Sequence, residues 1–106
     1  MKDITINTDR YEIYKRGKLL KLSKMQYYLL KYFIEHEGVV LTREQLIKDV
    51  WEYEIYNKYN NQAKRVVDVL VRRTREIIED DPSNPKYLIT KRGFGYCFIN
   101  GQEGGE

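Results

Sequence analysis

The fold is decided by the stretch Arg65-Val66-Val67-Asp68-Val69-Leu70-Val71-Arg72-Arg73-Thr74-Arg75, followed after a proline-bounded turn by Thr90-Lys91-Arg92-Gly93-Phe94-Gly95-Tyr96. At about 100° per residue, the first segment forms a helix with two unlike faces. One narrow stripe carries Val67, Val71, Thr74 and Ile78. The opposite side carries Arg65, Val69, Arg72 and Glu76, with Arg73 on its flank. The pattern predicts a helix that buries one face and exposes arginines on the other.

A helix of this kind suits the major groove of DNA, which is wide enough to admit it and presents hydrogen-bonding base edges. The alternative is an arginine-rich face that is simply solvated. The second segment favours the groove, because its two glycines and adjacent cations predict a tight basic hairpin. Such a hairpin provides a second contact with the same duplex.

Length and composition indicate one domain over residues 1–100, with enough hydrophobic content (42%) for a modest core. The segment 101–106 has no apolar anchor and is predicted to be a disordered tail. The net charge of +3 is mild, but its distribution is uneven. Residues 64–75 contain five basic side chains against Asp68 alone. This local asymmetry creates a field that attracts a polyanion.

Other function classes are disfavoured by what the sequence contains. Its one cysteine, Cys97, allows no intrachain disulfide and no cysteine-based zinc site, and we expect a half-buried strand residue there. No apolar run approaches the ~20 residues that span a bilayer, and no signal peptide is recognisable. The single histidine, His36, has no catalytic partners at a useful spacing. We expect a soluble, cytoplasmic protein that is not an enzyme and uses no membrane, metal or cofactor.

The residue pattern of the N-terminal half predicts a sheet followed by two helices. Residues 4–21 predict a small antiparallel sheet with a turn at Gly17. Capping boxes at Ser23-Lys24-Met25-Gln26 and Thr42-Arg43-Glu44-Gln45 open the helices. Gly38 ends the first helix, and Val39-Val40-Leu41 is only a short connecting strand.

The residue pattern of the C-terminal half predicts a helix followed by a hairpin. The loop 52–61 is polar and tyrosine-rich, and the long helix runs over 62–79 until the segment that contains both prolines. Two strands enclose the hairpin turn and form a wing over 87–99. The predicted fold class is α+β: a winged helix-turn-helix with an N-terminal small antiparallel sheet, three helices and a C-terminal β-hairpin wing.

Residues 22–99 resemble the C-terminal DNA-binding effector domain of bacterial OmpR/PhoB-type two-component response regulators, which are transcription factors. The resemblance rests on several pieces in order: Leu22–Leu30, Thr42–Ile47, Val50-Trp51, Arg65–Val69, Arg72–Arg75, Asp81-Pro82 and Thr90–Tyr96. Departures include Thr74, where the family usually has a large apolar residue, and Leu70 in place of a frequent histidine. The receiver domain is not in this chain, which is either an excised effector half or a stand-alone protein.

The resemblance implies sequence-specific binding of double-stranded DNA, with helix 62–79 in the major groove and the wing at the minor groove. The implied base contacts are Arg72, Arg73, Val69, Asp68 and, from the wing, Arg92. The implied phosphate contacts are Arg43, Trp51, Arg65, Val66, Arg75, Thr90 and Tyr96. A guanidinium bridges guanine O6 and N7, and Val69 suits a thymine methyl.

For Asp68, Trp51 and Phe94, the sequence leaves two roles open. Asp68 either accepts from cytosine N4 or orients an arginine. The Trp51 ring packs in the core, while its indole N–H either donates to a phosphate or stays within the protein. Phe94 either forms a lid on the hairpin or contacts sugar edges, and we expect the lid.

The partners implied by the resemblance extend beyond one duplex. Such domains are monomers when free and bind as tandem dimers on direct repeats. The loop 52–61 either contacts RNA polymerase through Tyr53, Ile55, Tyr56 and Tyr59 or is an ordinary surface loop. The alternative function is a winged-helix protein-interaction module that docks an acidic partner.

Overall fold

The computed structural model describes residues 2–51 and 60–101, with side chains in the second range described from Ala63 onward. The predicted polymerase-contact residues Tyr53, Ile55, Tyr56 and Tyr59 lie outside the described residues. The predicted tail lies outside them too, apart from Gly101. Gly101 sits against Asp3 and Tyr87, so closely that an added Cβ would come within 2.4 Å of Asp3 Oδ2.

The N-terminal sheet has three antiparallel strands in the order β1-β2-β3: β1 (Ile4–Asn7), β2 (Glu12–Lys15) and β3 (Lys18–Leu19). Its register pairs Ile6 with Ile13. Ile4 and Ile13 are buried, which the alternation of apolar and polar residues predicts. Gly17, with φ of 83°, makes the tight turn into β3. The predicted sheet is confirmed.

Two of the helices begin at the predicted capping boxes: α1 (Lys24–Glu35) and α2 (Arg43–Val50). The Ser23 hydroxyl accepts from the Gln26 N–H at 3.2 Å, and the Gln26 side chain accepts from the Ser23 N–H at 2.8 Å. Thr42 and Gln45 make the same reciprocal pair. Each box satisfies two backbone donors that a helix start otherwise leaves open.

The long helix α3 spans Asn60–Ile78, close to the predicted 62–79. The predicted buried stripe is confirmed, since Val67, Val71, Thr74 and Ile78 are all 0% exposed. They pack into one core with both helices and the inner faces of the two sheets. The Thr74 hydroxyl in that core has no hydrogen-bond partner within the described residues.

The C-terminal sheet has the order β4-β6-β5, with β4 at Val40–Leu41, β5 at Leu88–Lys91 and β6 at Gly95–Phe98. The predicted short connecting strand is therefore present, and it also pairs with the wing as the third strand of this sheet. Its register pairs Leu41 with Tyr96. An added Cβ on Gly95 would lie 2.1 Å from the Leu41 carbonyl oxygen, so glycine permits this close approach. Cys97, on the central strand β6, is buried rather than half-buried.

A buried carboxylate joins the end of α3 to the wing. Glu79 is 6% exposed and accepts from the N–H groups of Lys86 (2.6 Å), Tyr87 (3.0 Å) and Leu88 (2.8 Å). Three donors at the start of β5 are thereby satisfied by one side chain. This clamp sets where the wing leaves the helix.

Candidate nucleic-acid interface

One side of α3 is a row of cations and small apolar side chains. We call Arg65, Val66, Val69, Arg72 and Arg73 the outward face; all are exposed. None of its three arginines bonds through its side chain to another described residue. Among the described residues, their guanidinium donors therefore have no acceptor.

The outward face borders a shallow, mainly apolar groove of about 390 Å³ lined by Met25, Trp51, Arg65, Val66, Val69, Leu70 and Arg73. Val66 is 41% exposed and Val69 is 38% exposed, so methyl groups lie between the arginines. Trp51 caps α2 and packs partly against the core. The expected core packing of its ring is thus present in part, and its indole N–H donates to no residue within 2–51 or 60–101.

Asp68 links three elements. Its Oδ1 accepts from Arg43 Nε on α2 at 2.9 Å and from the Tyr96 hydroxyl on β6 at 2.7 Å. Burial and this hydrogen bond raise the pKa of Tyr96 to about 12. The bond to Asp68 also raises the pKa of Arg43. The structure therefore contains the arginine-orienting role considered for Asp68, while Oδ2 has no partner in the described part of the chain.

Arg75 faces the wing. Its Nε and Nη2 donate to the Leu88 carbonyl oxygen at 2.9 and 2.7 Å, and Nη2 also donates to Thr90 Oγ1 at 2.8 Å. The guanidinium carbon lies 5.6 Å from the centroid of the Tyr96 ring, a cation–π distance. We call Arg43, Asp68, Arg75, Thr90 and Tyr96 the helix–wing support.

The helix–wing support contains four of the predicted phosphate contacts. The internal partners of Arg75, Thr90 and Tyr96 could not be predicted from local sequence, because those partners lie far along the chain in β5 and α3. Their phosphate contacts stay predictions. For Tyr96 to donate to a phosphate, its bond to Asp68 must be exchanged, since a hydroxyl has a single proton to donate.

The wing presents its turn to solvent. Arg92 at the turn is exposed, as predicted, and so are Lys91 and Phe94. The Phe94 ring is 74% exposed, so the expectation that it forms a lid on the hairpin is wrong. The physical reason is local, because Gly93 and Gly95 on either side offer no side chains for the ring to cover.

A second groove lies between the wing and α2, with a volume of about 310 Å³ and lined by Arg43, Glu44, Lys64, Thr90, Lys91, Arg92, Gly93, Phe94, Gly95 and Tyr96. Lys64 and Lys91 add cations that sequence reasoning did not assign. Lys64 pairs with Glu44 at 3.0 Å and lowers the pKa of that carboxyl. Their signal was present in the charge pattern, since each adjoins an arginine that was assigned.

The described residues provide neither a metal site nor a membrane-spanning helix. Within 2–51 and 60–101, no group of three or more His, Cys, Asp or Glu side chains is placed to hold a metal ion. None of the described helices is long and apolar enough to cross a bilayer.

Three structures with the same fold are informative. Response regulator DrrB from Thermotoga maritima, an OmpR/PhoB homologue, is 35% identical with a TM-score of 0.78 over 92% of this chain. The chain spans 42% of the length of DrrB. The DNA-binding domain of Klebsiella pneumoniae RstA, in complex with the RstA box, is 26% identical with a TM-score of 0.80 and 92% coverage of both chains.

The third structure is the DNA-binding domain of response regulator AdeR in complex with an intercistronic region. It is 28% identical with a TM-score of 0.75, over 94% of this chain and 96% of that one. The family model for the C-terminal domain of transcriptional regulatory proteins matches residues 17–98. This chain therefore belongs to the OmpR/PhoB-type family of C-terminal domains of transcriptional regulatory proteins.

Proposed function

We propose that this chain binds double-stranded DNA sequence-specifically as the effector domain of a transcriptional regulator. The observation that carries the proposal is the outward face of α3, where three exposed arginines have no partner within the described residues. The wing adds Lys91 and Arg92 beside it. The solved complexes of the RstA and AdeR domains with DNA support the same function for this fold.

Sequence is read by α3 in the major groove. Arg72 and Arg73 donate two parallel hydrogen bonds each to guanine O6 and N7, and Val69 contacts a thymine methyl. Asp68 accepts from cytosine N4 through Oδ2, the oxygen that Arg43 and Tyr96 leave unused. Arg92 enters the adjacent minor groove, where a narrow A·T-rich segment concentrates negative potential.

Phosphates fix the register of the domain on the duplex. The proposed contacts are Arg43, Trp51, Arg65, Val66, Arg75, Thr90 and Tyr96. Arg75 retains its two Nη1 donors for this purpose, because its bonds to Leu88 and Thr90 use only Nε and Nη2. Phosphate contacts position the domain but carry no sequence information.

Assembly follows from the function of the family. We propose that the chain is a monomer when free and binds direct repeats as a tandem dimer, with half-sites about one helical turn apart. A receiver domain and RNA polymerase are its proposed protein partners. The polymerase contact falls on the loop 52–61, most of which lies outside the described residues, and its test is polymerase recruitment by a variant of Tyr56.

The proposal is tested by titrating a mixed-sequence duplex with the chain at several salt concentrations. If about six to eight phosphates are neutralised, log K falls against log salt with a slope of roughly −5 to −7. A flat response would contradict DNA binding and favour the protein-interaction alternative. Sedimentation of the free chain and of its complex with one or two half-sites tests the tandem arrangement.

A further inference from the structure

The most exposed of the large apolar side chains within 2–51 and 60–101 is Phe94, at the turn of the wing. Its ring is 74% exposed, whereas the other two phenylalanines, Phe33 and Phe98, are 0% exposed. A single exposed apolar residue needs no explanation on its own. Phe94 needs an explanation because it lies at the turn of the wing among basic residues.

The wing holds the backbone at Phe94 in a defined position. The Phe94 N–H donates to the Lys91 carbonyl oxygen at 2.8 Å, and Gly93 has φ of 86°. Behind the turn, Gly95 is pressed against the Leu41 backbone, and Arg75 fixes Leu88 and Thr90 on the other strand. A ring presented by a preorganised turn loses little conformational entropy when it is buried against a partner.

The charge around Phe94 selects the partner. Lys91 and Arg92 adjoin it, and no acidic residue occurs between Lys86 and Ile99. Phe94 also lines the groove that contains Arg43 and Lys64. An apolar ring inside a cationic rim suits a surface that is anionic overall yet has apolar strips. The walls of a DNA minor groove, where sugar edges lie between phosphates, are such a surface.

We propose that Phe94 is a DNA contact, in which its ring packs against sugar edges of the minor groove beside Arg92. The contact rests on the DNA-binding function proposed above and adds to it an apolar component that depends little on sequence or salt. Arg92 supplies the charge at this place, and Phe94 supplies the buried surface.

Fluorine NMR tests the contact directly. The chain has only three phenylalanines, so labelling with 4-fluorophenylalanine gives three resonances. Phe33 and Phe98 serve as internal references because they are buried. We expect a duplex of about two helical turns to shift the Phe94 resonance and protect it from a soluble paramagnetic quencher. An unchanged, quencher-accessible resonance at saturating duplex would overturn the proposal.

Variants separate the ring from the charge. Phe94→Ala weakens duplex binding about tenfold at every salt concentration, because an apolar contact is lost. Phe94→Leu retains most of the affinity, and Arg92→Ala lowers the salt slope by about 1. Since the ring is exposed, thermal unfolding of Phe94→Ala should match the parent chain.

Three results would overturn the assignment in different ways. Affinity of Phe94→Ala equal to that of the parent chain would show that the ring touches nothing. A salt slope reduced by Phe94→Ala, as by Arg92→Ala, would show that the ring acts only by orienting cations. A Phe94 resonance that moves with protein concentration in the absence of DNA would show that a second copy covers it. Failure of the proposed function itself would appear separately, as a flat salt response of the parent chain.

Discussion

The arginines of α3 form two groups that differ in what they touch. Arg73 is exposed and bonds to no other described side chain, whereas Arg75 donates three hydrogen bonds to β5. Two residues along a helix amount to a rotation of about 200°, which separates the two side chains onto opposite sides. A count of basic residues treats them alike. Their geometry differs: Arg73 is exposed without a partner among the described residues, and Arg75 is bonded to the wing.

Two acidic residues, one within α3 and one directly after it, differ in a similar way. Asp68 is half-buried among Arg43 and Tyr96 near the outward face, while Glu79 is buried under the wing with backbone donors only. On the outward face, hydrogen-bonding side chains are exposed to solvent. On the side toward the wing, Arg75 and Glu79 are hydrogen-bonded within the protein.

The largest effect is expected on the buried side. Glu79→Ala should lower the free energy of unfolding by about 3 kcal/mol or more, because three backbone donors lose their acceptor. Urea denaturation measures it. Glu79→Gln is the matched control, since it retains one acceptor oxygen and should lose less. A loss of under about 1 kcal/mol for Glu79→Ala would mean that the clamp is not what holds the wing.

The two arginines should respond in opposite ways. Arg73→Ala should cost about 1–3 kcal/mol of binding free energy on a preferred duplex. Its effect on unfolding should stay within about 0.5 kcal/mol. Arg75→Ala should instead lower the free energy of unfolding by about 1–3 kcal/mol, because the carbonyl of the buried Leu88 loses its donors.

Fluorescence anisotropy and thermal unfolding of both variants measure this exchange of roles. If Arg75→Ala keeps full stability and loses DNA affinity as Arg73→Ala does, the proposed difference between the two arginines is contradicted. Lysine cannot reproduce the planar fork of the guanidinium, so Arg75→Lys should be as unstable as Arg75→Ala if the hydrogen bonds of Arg75 to β5 hold the wing.

Thr74, between those arginines, is buried, and its hydroxyl has no hydrogen-bond partner in the described part of the chain. Thr74→Val should raise the free energy of unfolding by about 1 kcal/mol, because it removes a buried polar group while keeping a β-branched shape. DNA affinity should not change. Val69→Thr, the reverse exchange on the exposed face, is the control and should leave stability nearly unchanged. A less stable Thr74→Val variant would show that the hydroxyl is satisfied by water.

The smallest effect appears only in strong base. The pKa of Tyr96 is raised to about 12, so the folded state keeps this proton where the unfolded chain loses it. Its contribution to stability is present below the unfolded pKa of about 10 and is lost as pH rises toward 12. Tyrosinate absorbance should show one fewer late-ionising group in Tyr96→Phe. Loss of a group that ionises near pH 10 instead would contradict the Asp68–Tyr96 bond.

Local patterns in the sequence were sufficient for most of the fold. The capping boxes at Ser23 and Thr42 and the apolar stripe of α3 are short-range signals, and the structure contains each of them. The pairing of Val40–Leu41 with β6 was missed, because two apolar residues carry no information about a strand more than 50 positions away.

In the candidate site, too, features set by local sequence could be predicted and features set by tertiary contacts could not. Exposure of Arg65, Arg72 and Arg73 follows from helical periodicity and is confirmed. The partners of Arg75 and Tyr96 depend on tertiary contacts, so the sequence could name these side chains but not what they bond within the protein. Phe94 was misjudged because its exposure is decided by the shape of the turn.

We propose that the outward face of α3 reads bases, whereas Arg75 on the opposite side supports the wing and reads none. Selection of bound duplexes from a random library at near-physiological salt, with the parent chain and Arg73→Ala in parallel, tests it most directly. We predict enriched direct repeats about one helical turn apart for the parent chain, and relaxed preference at a defined base position for the variant. The same enriched sequence from both proteins, or none from the parent chain despite salt-sensitive binding, would contradict the account.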